Sequence, residues 1–351
     1  MKKLKKIDIY TIPLIIVSIA TVILRSVALF NNFNWETMHF DGKTAITISS
    51  ILVVITVIGF LSYLIFGDRE KALVVKNHTA ASYIPAGIVS TALAFVGVHN
   101  MSMCFSGGYN TQMLVGGSYV NILSPLAFVC GLLAFLSVVA FFLSVFIEKN
   151  ENVYKAAFSL SIVFFLALYA VLLYFDKNEH PTNSPNRFVD QMAYLSAALF
   201  FLFEARIPLG RTKWRGYVAF GLIATLLCTY SAIPSLILYF ATGLTVSESI
   251  AESILTLTVA ILIFSKLLQF KHLTPDSECE AAKKISALAS MREDQIEEQR
   301  KLSRAQENNN KEEIDDTEDA SNYTFNIPYS DPSVDFNADD ASIDLSNNNQ
   351  D

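Results

Sequence analysis

Asp190 to Tyr239 reads DQMAYLSAALFFLFEARIPLGRTKWRGYVAFGLIATLLCTYSAIPSLILY: an apolar run, a short basic turn and a second apolar run. At about 1.5 Å of rise per helical residue, each run is long enough to cross most or all of a hydrocarbon core of about 30 Å. Between them lie Arg206, Arg211, Lys213 and Arg215, with Pro208 and Gly210 interrupting the helix. Lys and Arg beside a span resist translocation. These four cations are therefore a topology anchor, holding the turn in the cytoplasm and setting the direction of every other span.

The composition supports this. Of 351 residues, 52% are hydrophobic and 17% are charged, against about 25% charged in ordinary soluble domains. The charge is also divided. Residues 276–351 carry 7 Lys/Arg against 20 Asp/Glu, whereas residues 1–275 carry 19 against 13. A basic, apolar body thus precedes an acidic tail. In lipid every backbone polar group must be satisfied within the protein. Continuous rather than alternating apolar runs make the spans helices and not the strands of a barrel.

Moving outward from the opening stretch, eight spans are expected: Ile9 to Phe30, Thr44 to Phe66, Ala80 to Met101, Val120 to Ile147, Tyr154 to Phe175, Asp190 to Glu204, Gly216 to Tyr239 and Glu248 to Leu268. The first follows Met1-Lys-Lys-Leu-Lys-Lys, as a signal peptide would. Its apolar run exceeds the 7–15 residues of a typical signal core and no small-x-small site follows it, so it reads as a retained span. The uncharged segment Ser102 to Tyr119, with two diglycines, is either a loop or a re-entrant piece. Eight spans with both termini cytoplasmic place 15 Lys/Arg on inner segments and three on outer ones (Lys43, Lys177, Arg187), as the positive-inside rule requires.

The expected fold is therefore all-α: a polytopic integral membrane protein of about eight transmembrane helices over residues 1–271, N-in and C-in, in the plasma (inner) membrane. Its organisation resembles a bacterial inner-membrane protein. Residues 272–307 are expected to form a short cytoplasmic amphipathic helix, opening at Thr274-Pro275 with acids in its first turn. Residues 308–351, acidic and Asn-rich, read as a disordered tail. Tyr323, Phe325, Ile327, Tyr329, Val334 and Phe336, set among acids, offer a cytoplasmic protein partner a docking segment. The plain alternative is a solubilising tail.

Ionisable groups inside spans are expensive and mark sites. Arg25 lies deep in the first span, His99 and Asn100 at the outer end of the third, Asp190 at the start of the sixth, and Glu248 and Glu252 at the start of the eighth. Glu248 and Glu252 share a helix face. Ser249, Ser253, Thr256 and Ala260 continue it as a small-polar stripe suited to the bundle interior. Together these residues sketch an outward-facing pocket for a small-molecule ligand, in which Arg25 faces Asp190 or Glu252. Against it stands a purely structural role: Arg25 snorkelling or paired once, the acids capping helix N-termini. Trp214 and Tyr217 read as interfacial anchors, and Ala224, Cys228 and Ala232 as a close-packing face containing Pro234.

No motif points to catalysis. Cys104, Cys130, Cys228 and Cys279 form no CxxC pair, and the five histidines form no HxxxH, so no metal and no other cofactor is expected. A lone Glu204 without a second acid does not make an intramembrane protease. No phosphate-binding, nucleophile-elbow or dinucleotide fingerprint occurs, and nucleic acid is not an expected partner. Two functions are consistent with these features. One is a non-catalytic sensor, scaffold or complex subunit with a partner-binding tail; the other is a small-molecule permease, or the membrane component of a transporter, using the outer polar pocket.

Overall fold

The apolar runs become helices because a chain in lipid has no other way to satisfy its backbone, and their ends fall where polar or Gly-containing segments allow. The computed structural model describes residues 6–35, 37, 39–42, 44–66, 80–107, 112–115, 118–121, 123–146, 153–175, 185–206, 214–244, 250–272, 287, 290–291 and 294–304. Among them, eight helices are long and apolar enough to cross a membrane.

The first is α1 (Lys6–Asn32). A small hairpin of β1 (Phe33–Asn34) and β2 (His39–Phe40) joins it to α2 (Thr44–Leu61), which continues after a break at Ser62 into the one-turn α3 (Tyr63–Phe66). Then come α4 (Ala80–Ser106), a second hairpin of β3 (Gln112–Val115) and β4 (Ser118–Asn121), and α5 (Leu123–Phe146). α6 (Val153–Phe175), α7 (Pro185–Ala205), α8 (Trp214–Thr242) and α9 (Ile250–His272) complete the set. Gly107 and Gly243 sit just past α4 and α8 at φ of 73° and 74°. Gly243 closes α8 by donating its N–H to the carbonyl of Tyr239 at 2.8 Å, the left-handed stop that lacks a Cβ penalty only in glycine.

The described residues are almost entirely helical, as expected of an all-α fold, with two short hairpins linking α1 to α2 and α4 to α5. Two expected helix starts change. Within Ser102 to Tyr119, α4 runs on to Ser106, and β3 pairs antiparallel with β4. Val120 accordingly belongs to a strand, and the fourth helix starts at Leu123. The sixth begins earlier than Asp190, at Pro185, whose fixed φ and missing N–H suit a first helical position. Asp190 thus sits in the second turn.

Helices α4 to α9 each pack on the next, and α9 returns to pack on α4, closing a ring of six. Among the described residues, α1 and α2 pack on each other and on the ring chiefly where it presents α8. α8 is the hub: 72% of its apolar window is buried, against 22% for α2. The outward faces of α1 and α2 show Ile15, Ile16, Ile19, Ile23, Ile51, Ile55 and Ile58 to the surroundings, a continuous apolar surface that lipid can cover and water would not.

Close approach is built from small residues. A Cβ on Gly97 of α4 would meet the Ala134 Cβ at 3.2 Å and the Gly131 carbonyl of α5 at 3.4 Å. Gly216 admits the ring of Phe203, and Gly221 admits Phe200 and Leu267. Trp214 and Tyr217, read from the sequence as interfacial anchors, pack inside the bundle. Both are buried, with the Tyr217 ring 4.7 Å from that of Phe200. The Ala224, Cys228 and Ala232 face is buried as well, and the Cys228 thiol points at the Ala193 carbonyl 3.7 Å away.

The chain divides into two units, residues 1–292 and 293–351. In the second, residues 294–304 are helical and exposed, with a Glu297–Lys301 pair at 3.3 Å. The acidic tail 308–351 lies outside the described residues.

Candidate functional site: a buried polar network at one end of the bundle

The late residues of α1, α6 and α8 meet the early residues of α2, α7 and α9. Successive spans therefore alternate in direction, and their polar residues collect at the end that carries the hairpins.

The largest fully buried side chain there is Arg25. Its Nη1 donates to the Tyr230 carbonyl at 3.0 Å, its Nη2 donates to Asn186 Oδ1 at 2.9 Å, and the guanidinium lies 4.5 Å from the centre of the Tyr230 ring. The carbonyl contact follows from the sequence of α8. Pro234 has no N–H, so the carbonyl four residues before it, that of Tyr230, loses its helical partner. Within a bundle such freed carbonyls are met by neighbouring helices and by Ser/Thr side chains. Here a neighbouring helix supplies the donor, through Arg25 Nη1. Arg25 is thus the surrogate donor for a proline-broken helix. The Tyr230 hydroxyl bonds Ser49 of α2 at 2.8 Å, so one tyrosine ties α1, α2 and α8 together.

Asp190 follows Asn186 by one turn on the same face of α7. Its carboxylate accepts a hydrogen bond from the Ser231 hydroxyl, and Arg25 is the positive charge acting on it. The guanidinium itself touches the uncharged acceptors of Tyr230 and Asn186. Arg25 Nε and Asn186 Nδ2 are buried without an acceptor among the described residues.

A second node lies inside the ring. Tyr169 of α6 donates to the Glu252 carboxylate of α9, bridging two helices that are not ring neighbours. Thr256 bonds both the Tyr194 hydroxyl and the Glu252 carbonyl at 2.9 Å. The Tyr169 and Tyr194 rings meet edge to face at 5.3 Å. Asn186, Asp190 and Tyr194, spaced by four on α7, connect the two nodes, and Tyr194 feels the charge of both Asp190 and Glu252.

Of the residues marked in the sequence, Arg25 and Asp190 come together, while Glu252 belongs to the second node with Tyr169. Asn100 is fully buried on α4, the helix that packs on α9. His99 is half-buried and makes no hydrogen bond to Arg25, Asp190 or Glu252 among the described residues. Glu248 lies outside the described residues. Arg187, expected in an outer loop, is instead buried in the first turn of α7, where its Nε donates at 2.5 Å to the carbonyl of Leu173 near the end of α6. It lies 6.0 Å from the Tyr174 ring.

The basic turn follows the same principle. Arg215 Nη1 donates to the Leu64 carbonyl of α3 at 3.2 Å. Arg206 closes the turn after α7 through its backbone N–H to Phe203; Arg211 and Lys213 lie outside the described residues. Glu204 pairs with Lys266 of α9. Three arginines thus donate to helix carbonyls, two of them near helix C-termini, where the macrodipole favours a cation. No group of three or more metal-ligating side chains occurs among the described residues.

Sequence reasoning did not mark Ser49, Tyr169, Asn186, Tyr194, Tyr230 and Ser231. Tyr230 alone carried a readable signal, by counting four back from Pro234.

What fold and network define is a class: a helical protein of eight membrane-length spans with a buried polar network at one end. Comparison with protein-family models, curated proteins and solved structures finds no match to the chain.

Proposed function

We propose that this protein is a non-catalytic multi-pass protein of the plasma membrane, a sensor, scaffold or complex subunit that recruits a cytoplasmic partner through residues 308–351. One observation carries the proposal: Arg25, Arg187 and Arg215 are bonded to backbone carbonyls of other helices. Cations used in this way hold an assembly together instead of meeting a substrate. The division between a basic body and an acidic, aromatic-bearing tail supplies the recruiting segment. Both termini lie in the cytoplasm on this proposal, in line with the 15-to-3 division of flanking cations, and the Arg25 network lies in the outer half of the bilayer.

Deleting Asn308 to Asp351 is expected to leave membrane insertion intact and to remove a specific partner from a cross-linked pull-down. An unchanged set of partners would refute the proposal. Reporter fusions at the 67–79 and 176–184 segments should report cytoplasmic and external sides respectively.

A second reading, a small-molecule permease, draws on the Tyr169–Glu252 bridge, which sets an ionisable group across the middle of the ring. Intramembrane carboxylates in such positions mark transport paths. On that reading Glu252→Gln and Arg25→Ala together abolish flux into proteoliposomes; unchanged flux would exclude it.

A further inference from the structure

We propose that α8 is hinged at Pro234 and that Arg25 is the latch of this hinge. In the closed arrangement the guanidinium bonds the freed Tyr230 carbonyl and Asn186, and in the open one it moves to Asp190. The hinge is independent of which function above holds.

Four features support the latch. Proline within a helix both removes a hydrogen bond and pushes against the carbonyl four residues back, which makes it the commonest site of a sharp bend. The carbonyl freed at this bend, that of Tyr230, is satisfied by a side chain, Arg25 Nη1. Side-chain donors can let go without unravelling the helix on either side. Third, the guanidinium is incompletely used: Nε lies on the same planar edge as Nη2, the nitrogen that holds Asn186, and has no acceptor among the described residues. Asn186 Nδ2, beside it, is in the same condition. Finally, a charged acceptor stands one helical turn along from Asn186. Asp190 is currently engaged by the Ser231 hydroxyl.

Arg–carboxylate pairs are frequently bidentate, with two parallel N–H···O bonds to one acid. Moving Arg25 from a carbonyl to Asp190 therefore compensates for the loss of the Tyr230 contact, which gives the element two discrete states. The moving part is the last two turns of α8, which carry Leu238 into the small cluster of Ala28, Leu29, Phe33 and Phe40. Bending at Pro234 displaces the β1–β2 hairpin together with the end of α8, so the α1–α2 pair and the ring are coupled through this point.

Two measurements on the full-length protein in nanodiscs test the proposal. In the first, R25Q, P234A and the double variant are compared by thermal unfolding. R25Q is expected to lower the Tm on the order of 5–10 °C. Restoring an N–H at position 234 makes the Arg25 contact redundant, so P234A should recover at least half of that loss. Equal losses in both backgrounds would overturn the latch. If R25Q fails to accumulate, accumulation of the double variant in membranes replaces Tm as the readout, and absence of rescue overturns it equally.

The second measurement places nitroxide labels at F240C on α8 and V171C on α6, both exposed, in a background with the four native cysteines changed to alanine. Two distance populations are expected, collapsing to one in P234A and in D190N. A single population that neither substitution alters would show that α8 does not hinge there.

Discussion

Tyr230 shows how much a single residue can join: its backbone carbonyl and ring both meet Arg25 of α1, and its hydroxyl meets Ser49 of α2. Such economy is expected where water cannot act as a substitute partner. The same logic makes Arg187 testable. Arg187→Gln removes a charged donor from the Leu173 carbonyl and should cost about 1.5–3 kcal/mol of unfolding free energy, read as a lowered midpoint in denaturant or heat. Arg187→Lys, a point charge without the planar fork, should recover only part of it. At the second node, Tyr169→Phe deletes one hydroxyl and leaves Glu252 with one donor fewer. A loss of about 1–3 kcal/mol is expected, and an unchanged midpoint would mean that this bond adds nothing to stability.

Helices α4 and α5 supply a contrast that separates packing from propensity. Gly97 faces α5 so closely that a Cβ there is already in tight contact, whereas a Cβ on Gly87, ten residues earlier on α4, would meet nothing within 4 Å. Gly97→Leu should therefore destabilise the bundle by about 1–3 kcal/mol through overpacking. Gly87→Leu, facing outward, should be neutral or slightly stabilising. α7 and α9 meet through Thr256 and Tyr194 towards the hairpin end and through Glu204 and Lys266 towards the other. The latter pair is partly exposed, with 18% of the Lys266 and 26% of the Glu204 side chain accessible. A double-mutant cycle with E204Q and K266M should accordingly return no more than about 1 kcal/mol of coupling. The network end is expected to hold the two helices more firmly than the ion pair does.

At the scale of the molecule, eight spans were legible because Lys and Arg mark span ends and long apolar runs have few other uses. Arg25, Asp190, Asn100 and Glu252 were legible because an ionisable or amide group inside such a run is conspicuous. Arg187 was misplaced for the opposite reason: beside two prolines and several polar residues it looks like a loop residue, and only the end of α6 explains its burial. The tyrosines were silent because Tyr169 and Tyr194 in an apolar helix look like core aromatics until a carboxylate or hydroxyl from another helix lies against them. Ring order was also beyond reach, since nothing local states that α9 returns to α4 or that α1 and α2 reach the ring through α8. That arrangement predicts that a chain cut within residues 67–79 still assembles. The two fragments, co-expressed, should co-purify through the α1–α8 and α2–α8 contacts, and Arg25→Gln should weaken their association.

The distance along the chain between Arg25 and its acceptor on α8 is 205 residues. At synthesis rates of about 5–20 residues per second, Arg25 leaves the ribosome roughly 10–40 s before Tyr230 does. For most of that interval the first helix carries a charged side chain for which the helices already made offer neither the Tyr230 carbonyl nor Asn186, which emerges 161 residues after Arg25. Insertion of this protein is therefore a waiting problem. The first hairpin must be held at the insertion machinery or at the bilayer edge, where the guanidinium still reaches water, until the seventh span arrives to receive it.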